Sequence, residues 1–326
     1  MTPTFTIPPI GDAEVVALPA QGSWPEAVHQ FDEHSALAVR AALAAQRPLL
    51  IRGEPGVGKS QLARAAAVKL GWVLLSEVVH ARSESQDLQW RYDAVGRLGD
   101  AQAIGAAKLD MAVARAELAQ SHYVSPGPLW WAFDWDSALA QHDQATKQYS
   151  PPSLPPGQTR PTGCVVLIDE IDKAEAELPN GLLETMGNGG FAVPWLDQAV
   201  RSRADMPPPL VIITTNEERE LPAAFVRRCM VLQLPQPDKD RLIERGRLHF
   251  ADACSEEVYT KAAEQLLADR AEYERQGLPQ PGQAEYLDTL RVLTQLWPND
   301  HAAQLANLER IGQFTFHKHP LADDAY

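Results

Sequence analysis

Eight consecutive residues, Gly53-Glu54-Pro55-Gly56-Val57-Gly58-Lys59-Ser60, have the types and spacing to hold a phosphate. They follow the apolar run Leu49-Leu50-Ile51 and precede an alanine-rich helical pattern. In that setting a strand feeds a tight glycine turn, successive backbone N–H groups point into a concavity, and the next helix turns its positive N-terminus to the same anion. Lys59 adds a full charge for β and γ phosphates, and Ser60 offers a hydroxyl to Mg²⁺. A second apolar run, Cys164-Val165-Val166-Leu167-Ile168, ends in Asp169-Glu170. Asp169 at a strand tip can hold Mg²⁺ through water, and Glu170 can polarise a water that attacks a γ phosphate. Asn216 ends a further stretch that reads as a buried strand, Leu210–Thr215, with an amide that can orient that water. The bland alternative, a structural glycine turn with a surface lysine, is disfavoured by the strand before it and the helix after it.

The elements that must position these residues are legible in outline. Ser35 to Gln46 is rich in helix formers, with Ser35 as the expected cap and Pro48 as the stop. Leu49–Arg52 reads as a strand, Gln61–Leu70 as a helix ended by Gly71, and Trp72–Val79 as the next strand. Strand, helix, strand in that order implies parallel strands and a right-handed crossover. Gly99 to Ser121 reads as one long alanine-rich helix packed closely against a neighbour. Pro126 to Trp135 is dense in aromatics, suited to a core or to a docking surface, and Ser150 to Gly157 is a proline-rich spacer. Leu178–Met186 reads as a helix, Phe191–Leu196 as part of a hairpin, Leu221–Arg228 as a short helix and Val231–Leu234 as the last strand. The pattern from 238 to 316 is helical throughout. The organisation expected is an extended arm over 1–30, an α/β nucleotide-binding domain over 31–236 with an insertion at about 99–161, a helical domain over 237–316, and a tail over 317–326. That tail reads as loop, and metal binding by its two histidines, His317 and His319, is the disfavoured alternative.

Composition narrows the function. The chain has 326 residues, 45% hydrophobic and 22% charged, and no apolar run long enough to span a bilayer. Its start lacks the basic and apolar segments of a secretory signal, so a cytoplasmic location is the expectation. Three cysteines, Cys164, Cys229 and Cys254, match no metal framework and read as small buried hydrophobes. With 29 basic against 43 acidic residues the net charge is −14, and basic residues do not cluster. Such a surface repels a phosphate backbone, so nucleic acid is not the expected main ligand.

Taken in order, Gly53 to Ser60, Leu167-Ile168-Asp169-Glu170-Ile171-Asp172-Lys173-Ala174, Thr215-Asn216 and Arg227-Arg228 resemble the AAA+ ATPases. Gly71-Trp72, Arg91-Tyr92-Asp93, Pro126-Gly127-Pro128-Leu129 and Leu182-Leu183-Glu184-Thr185-Met186 resemble the MoxR branch of that family. The resemblance covers about residues 30 to 300. It implies a parallel sheet flanked by helices and followed by a smaller helical lid, with ATP and Mg²⁺ as ligands. Gly53, Glu54, Pro55, Gly56, Val57, Gly58, Lys59, Ser60 and Gln61 would then line the nucleotide, with Ser60 and Asp169 toward the metal. Catalysis would fall to Glu170, Lys59 and Asn216, with Arg228 as a finger reaching a neighbouring subunit's nucleotide and Arg227 as its alternate. A ring, usually of six subunits, a protein client and a von Willebrand A domain partner are what the branch implies. A nucleotide-gated switch or scaffold in a bacterial conflict or stress system is the second reading, and a DNA-directed motor the third. The sequence departs from the family in its lid: Pro281 to Leu287 lacks the usual arginine, and the next one is Arg291.

Overall fold

The computed structural model describes residues 7–107, 110–147, 149–196 and 199–317. The described residues divide into two compact units: one holds 7–16, Gln30–Arg52 and Ser60–Leu232, the other Ala17–His29, Gly53–Lys59 and 233–317. The proline-rich start is more than an extended arm. β1 (Val15–Leu18) and β2 (Ala27–Gln30) pair as a two-stranded sheet, with Val16 and Leu18 buried and Val15 exposed as strand alternation requires. α1 (Glu33–Ala45) has its cap three residues earlier than Ser35. Asp32 is its cap, accepting the Ser35 N–H at 2.7 Å while Ser35 Oγ accepts the Asp32 N–H at 3.1 Å.

β3 (Leu49–Arg52), α2 (Lys59–Leu70), β4 (Val73–Val78) and β5 (Trp90–Tyr92) follow. The long alanine-rich helix is instead two: α3 (Ala94–Ala107) and α4 (Met111–Glu117), the second started afresh by Asp110, whose carboxylate accepts the Ala112 N–H at 2.7 Å. Neither helix has a buried residue, so its small side chains do not serve the close packing expected of them. β6 (Val124–Pro126) pairs antiparallel with β5, and α5 (Pro128–Phe133) and α6 (Trp135–Gln144) come next. Here the aromatic cluster resolves as core: Trp130, Trp131, Phe133 and Trp135 are buried, and the Trp130 indole donates to Ser137 Oγ at 2.8 Å. Each fully buried side chain of this size stabilises by about 1.5–3 kcal/mol relative to exposure. The chain continues through β7 (Cys164–Asp169), α7 (Glu177–Asn188), a two-residue hairpin of β8 (Gly190–Phe191) and β9 (Val200–Arg201), β10 (Leu210–Thr215), α8 (Ala223–Val226) and β11 (Met230–Gln233).

Five strands form the central sheet in the order β11-β3-β10-β7-β4, and the β10–β3, β10–β7 and β4–β7 pairings are parallel. β3 and β4, joined by α2, are therefore parallel but not neighbours, because β10 and β7 lie between them. β7 from Cys164 to Ile168 and β10 from Leu210 to Ile213 are continuously apolar because both faces of an interior parallel strand are covered. Ile213 pairs with Ile168 and Thr215 with Arg52, so the carboxyl ends of β7, β10 and β3 open along one edge of the sheet. The core tolerates little added volume. A methyl on Gly163 would stand 2.3 Å from the buried ring of Trp72, so Gly163→Ala should destabilise by about 1–3 kcal/mol, read as a lower melting temperature by circular dichroism.

The second unit is built on α9 (Lys239–Phe250), α10 (Glu256–Arg275), α11 (Gln283–Leu296) and α12 (His301–Thr315), around a core of Leu242, Val258, Leu266, Tyr286, Leu290 and Leu308. Gly246 lets α9 approach closely, since a Cβ there would lie 2.7 Å from the Tyr286 hydroxyl. The three thiols are buried in these cores, and burial pushes Cys164 up to about 12 and Cys229 and Cys254 up to about 11. They stay protonated and inert, as small hydrophobes do. No helix among the described residues is long and apolar enough to cross a membrane.

Candidate functional site

The glycine loop Gly53–Lys59 lies in the unit that carries α9–α12. Three of its glycines are where only glycine is at ease: Gly53, Gly56 and Gly58 have φ of 149°, 79° and 98°. A Cβ on Gly53 would meet the Leu234 carbonyl oxygen at 2.6 Å, and one on Gly56 would meet Ala284 Cβ at 3.1 Å. Val57 is buried beneath the turn, while Glu54 and Pro55 are exposed, and Glu54 accepts a hydrogen bond from the Gln236 amide. Lys59 is buried, and its ammonium donates to the carbonyls of Gly53 at 2.6 Å and Glu54 at 2.8 Å. A compact cation thus sits inside the loop, braced by the loop's own backbone. Arg270 on α10 ties together the segments flanking this loop, donating to Pro237 O at 3.1 Å and Pro281 O at 3.2 Å. Ala284, at the start of α11, faces Gly56; Arg291 is exposed further along α11 and pairs with Asp288 at 2.6 Å.

In the sheet unit, Ser60 Oγ donates to Asp169 at 2.8 Å and 3.0 Å, a contact across 109 residues of sequence. Gln61, in the first turn of α2, has a buried amide oxygen with no hydrogen-bond partner among the described residues. The fully buried Thr214 hydroxyl donates to Asp169 Oδ1 and accepts the Glu170 N–H at 2.9 Å. Glu170 itself is in the left-handed region, with φ 60° and ψ 47°, which turns its side chain away from the line of β7. Its carboxylate receives the Lys173 ammonium at 2.6 Å, and that bond raises the Lys173 pKa, so Lys173 stays charged throughout the neutral range. Asp172 is buried, and its two oxygens accept the backbone N–H groups of Asn216 at 3.4 Å and Glu218 at 2.9 Å. The acid-bearing loop therefore holds the loop that carries Asn216. A hydroxyl and a carboxylate at this separation are hard oxygen donors of the kind Mg²⁺ accepts alongside water, so these residues fit that ion.

Arg227 and Arg228 follow α8, both exposed and neither with an ion-pair partner among the described residues. Their backbone is held: Arg47 donates from Nε to Arg228 O at 2.9 Å and from Nη2 to Arg227 O. Four residues of these arrangements escaped the sequence reading of the site. Lys173 and Asp172 stand in the quoted acidic motif without a role there, and Thr214 precedes Asn216 by two. Arg47 has no signal at all, because its contact is made 180 residues away.

A parallel five-stranded sheet with a glycine loop after β3 and acids at the end of β7 defines a phosphate-loop nucleotide-binding fold. The family model of the AAA domain, dynein-related subfamily, matches residues 48–229, more than half of the chain, and the chain belongs to that family of AAA+ ATPases. No curated protein sequence matches it. Among solved structures, a variant of Thermotoga maritima RuvB is similar at 15% identity, covering 85% of this chain and 68% of that one with a TM-score of 0.44. A second RuvB variant from the same organism is 16% identical over 85% and 67% of the two chains, TM-score 0.44. The Thermotoga maritima RuvB Holliday junction branch migration motor is 15% identical over 80% and 67%, TM-score 0.37.

Proposed function

We propose that this chain is a MoxR-type ATPase that works in an oligomeric ring and couples ATP hydrolysis to remodelling or assembling a protein client. The observation that carries the hydrolytic reading is the group of Ser60, Asp169, Thr214 and Glu170, joined by hydrogen bonds at the ends of β7 and β10. Lys59 would exchange the carbonyls of Gly53 and Glu54 for phosphate oxygens, which offer a full charge instead of a dipole. Ser60 and Asp169 would hold Mg²⁺, which when bound neutralises charge on the β and γ phosphate oxygens. Glu170 would draw a proton from water as the water oxygen bonds to the γ phosphorus and the bridging P–O bond breaks, yielding ADP and phosphate. The Asn216 amide would orient that water, with Asp172 setting the position of its loop. Arg228 of a neighbouring subunit would neutralise the charge that develops.

The MoxR branch is supported by Arg91-Tyr92-Asp93, Pro126 to Leu129 and Leu182 to Met186, together with the helical segment α3–α4 inserted between β5 and β6. The net charge of −14 without basic clusters favours a protein client over nucleic acid, and a von Willebrand A domain is the partner class that the branch implies. The purified protein should release phosphate from ATP in the presence of Mg²⁺. Lys59→Ala should weaken binding of a fluorescent ATP analogue at least roughly tenfold, the worth of one charge-assisted hydrogen bond. Binding and turnover at the unsubstituted level would remove the loop from this role. One observation favours the switch reading: Ala284, not an arginine, faces Gly56 in the helical unit. Light scattering alongside phosphate release separates the two, since a switch assembles on ATP with almost no turnover.

A further inference from the structure

Thr214 is fully buried, and its single hydroxyl is used in both directions. Because the Glu170 N–H occupies a lone pair of Oγ1, the hydroxyl hydrogen is left to point at Asp169 Oδ1. Ser60 Oγ approaches the same carboxylate, closer to Oδ2 at 2.8 Å than to Oδ1 at 3.0 Å. One neutral side chain thus fixes the rotation of the carboxylate that Ser60 shares and the peptide plane from which Glu170 departs. Glu170 is a non-glycine residue at φ 60°, a conformation that persists only where surrounding bonds hold it.

We propose that Thr214 is the positioning residue for both acids: its hydroxyl presents the Asp169 carboxylate to the divalent cation and aims Glu170 at the water. The proposal rests on the ATPase reading above, but its metal arm is measured without turnover. Three proteins decide it, the unsubstituted chain, Thr214→Val, which keeps the shape and removes the hydroxyl, and Thr214→Ser, which keeps the hydroxyl and removes the methyl. Mn²⁺ binding to each protein in complex with a slowly hydrolysed ATP analogue is followed by the loss of the free-ion electron paramagnetic resonance signal. Phosphate release and analogue binding in EDTA are measured in parallel.

Thr214→Val should raise the Mn²⁺ half-saturation point and lower turnover, each by about 10–100-fold as for other groups that orient a metal ligand. Analogue binding in EDTA should be unchanged in all three proteins, and Thr214→Ser should lie within roughly threefold of the unsubstituted chain. Mn²⁺ binding by Thr214→Val equal to the unsubstituted protein overturns the proposal. So does a Thr214→Ser as defective as Thr214→Val, or the absence of Mn²⁺ binding in the unsubstituted complex. If Thr214→Val does not fold, Thr214→Ala replaces it in the same comparison. A protein that binds Mn²⁺ in a Thr214-dependent way yet releases no phosphate refutes the ATPase reading and leaves the positioning role standing.

Discussion

Glu170→Gln should cut phosphate release by about 10²–10⁴-fold, the usual contribution of a general base, while the fluorescent ATP analogue binds as before. The amide keeps the shape and the left-handed backbone of Glu170 but cannot take a proton from water. It also loses the charge facing Lys173. That pair is partly exposed, with side chains 32% and 41% accessible, and solvent-screened pairs of this kind are worth no more than about 1 kcal/mol. The melting curve should therefore barely move, and lost turnover in a protein of unchanged stability reads as lost chemistry. An unchanged rate would remove Glu170 from the role. The same variant, arrested with ATP bound, is the reagent for capturing a protein client, and a von Willebrand A domain protein is the retained partner expected.

Arg228→Ala should be as silent as Glu170→Gln when measured alone, because an arginine finger contributes about 10³–10⁵-fold to turnover. Its diagnostic behaviour comes on mixing. If Arg228 acts on the neighbour's nucleotide, a mixed ring contains interfaces where an intact Glu170 in one subunit meets an intact Arg228 from the next. Two inactive proteins should then regain activity together, with a dependence on total concentration that reports assembly. No recovery on mixing, or full activity of Arg228→Ala by itself, would take the finger role away from Arg228; Arg227→Ala in the same assay assigns it to the other member of the pair. Both guanidinium groups are exposed, and Arg47 anchors their backbone, so neither alanine substitution should disturb the end of α8.

Where local chemistry decides conformation, the sequence was readable. Gly53, Gly56 and Gly58 are glycines because their φ values suit no other residue, and the apolar runs of β3, β7 and β10 are continuous because the strands are covered on both faces. The three cysteines are buried as their type suggested. Local chemistry also explains the misreadings. The stretch 99–121 is uniformly alanine-rich, so propensity alone could not reveal that Asp110 begins a second helix or that neither helix buries a residue. The aromatic run from Trp130 to Trp135 carries the same signal whether it is core or interface, and only the packing of α5 against β4 and β7 distinguishes them.

Alone, then, the sequence determined the phosphate loop, the acids that end β7, the amide that ends β10 and the all-helical character of the segment after β11, since each is written in contiguous residue types. Tertiary structure decided the strand order that separates β3 from β4 and brings Ser60 to Asp169. It also decided that Thr214 and Asp172 tie the acids to the Asn216 loop, and that Arg47 holds the backbone of the arginine pair. The physical reason is that a buried hydroxyl or carboxylate takes whichever donor the sheet register sets opposite it, and register is a property of paired strands that no single strand encodes.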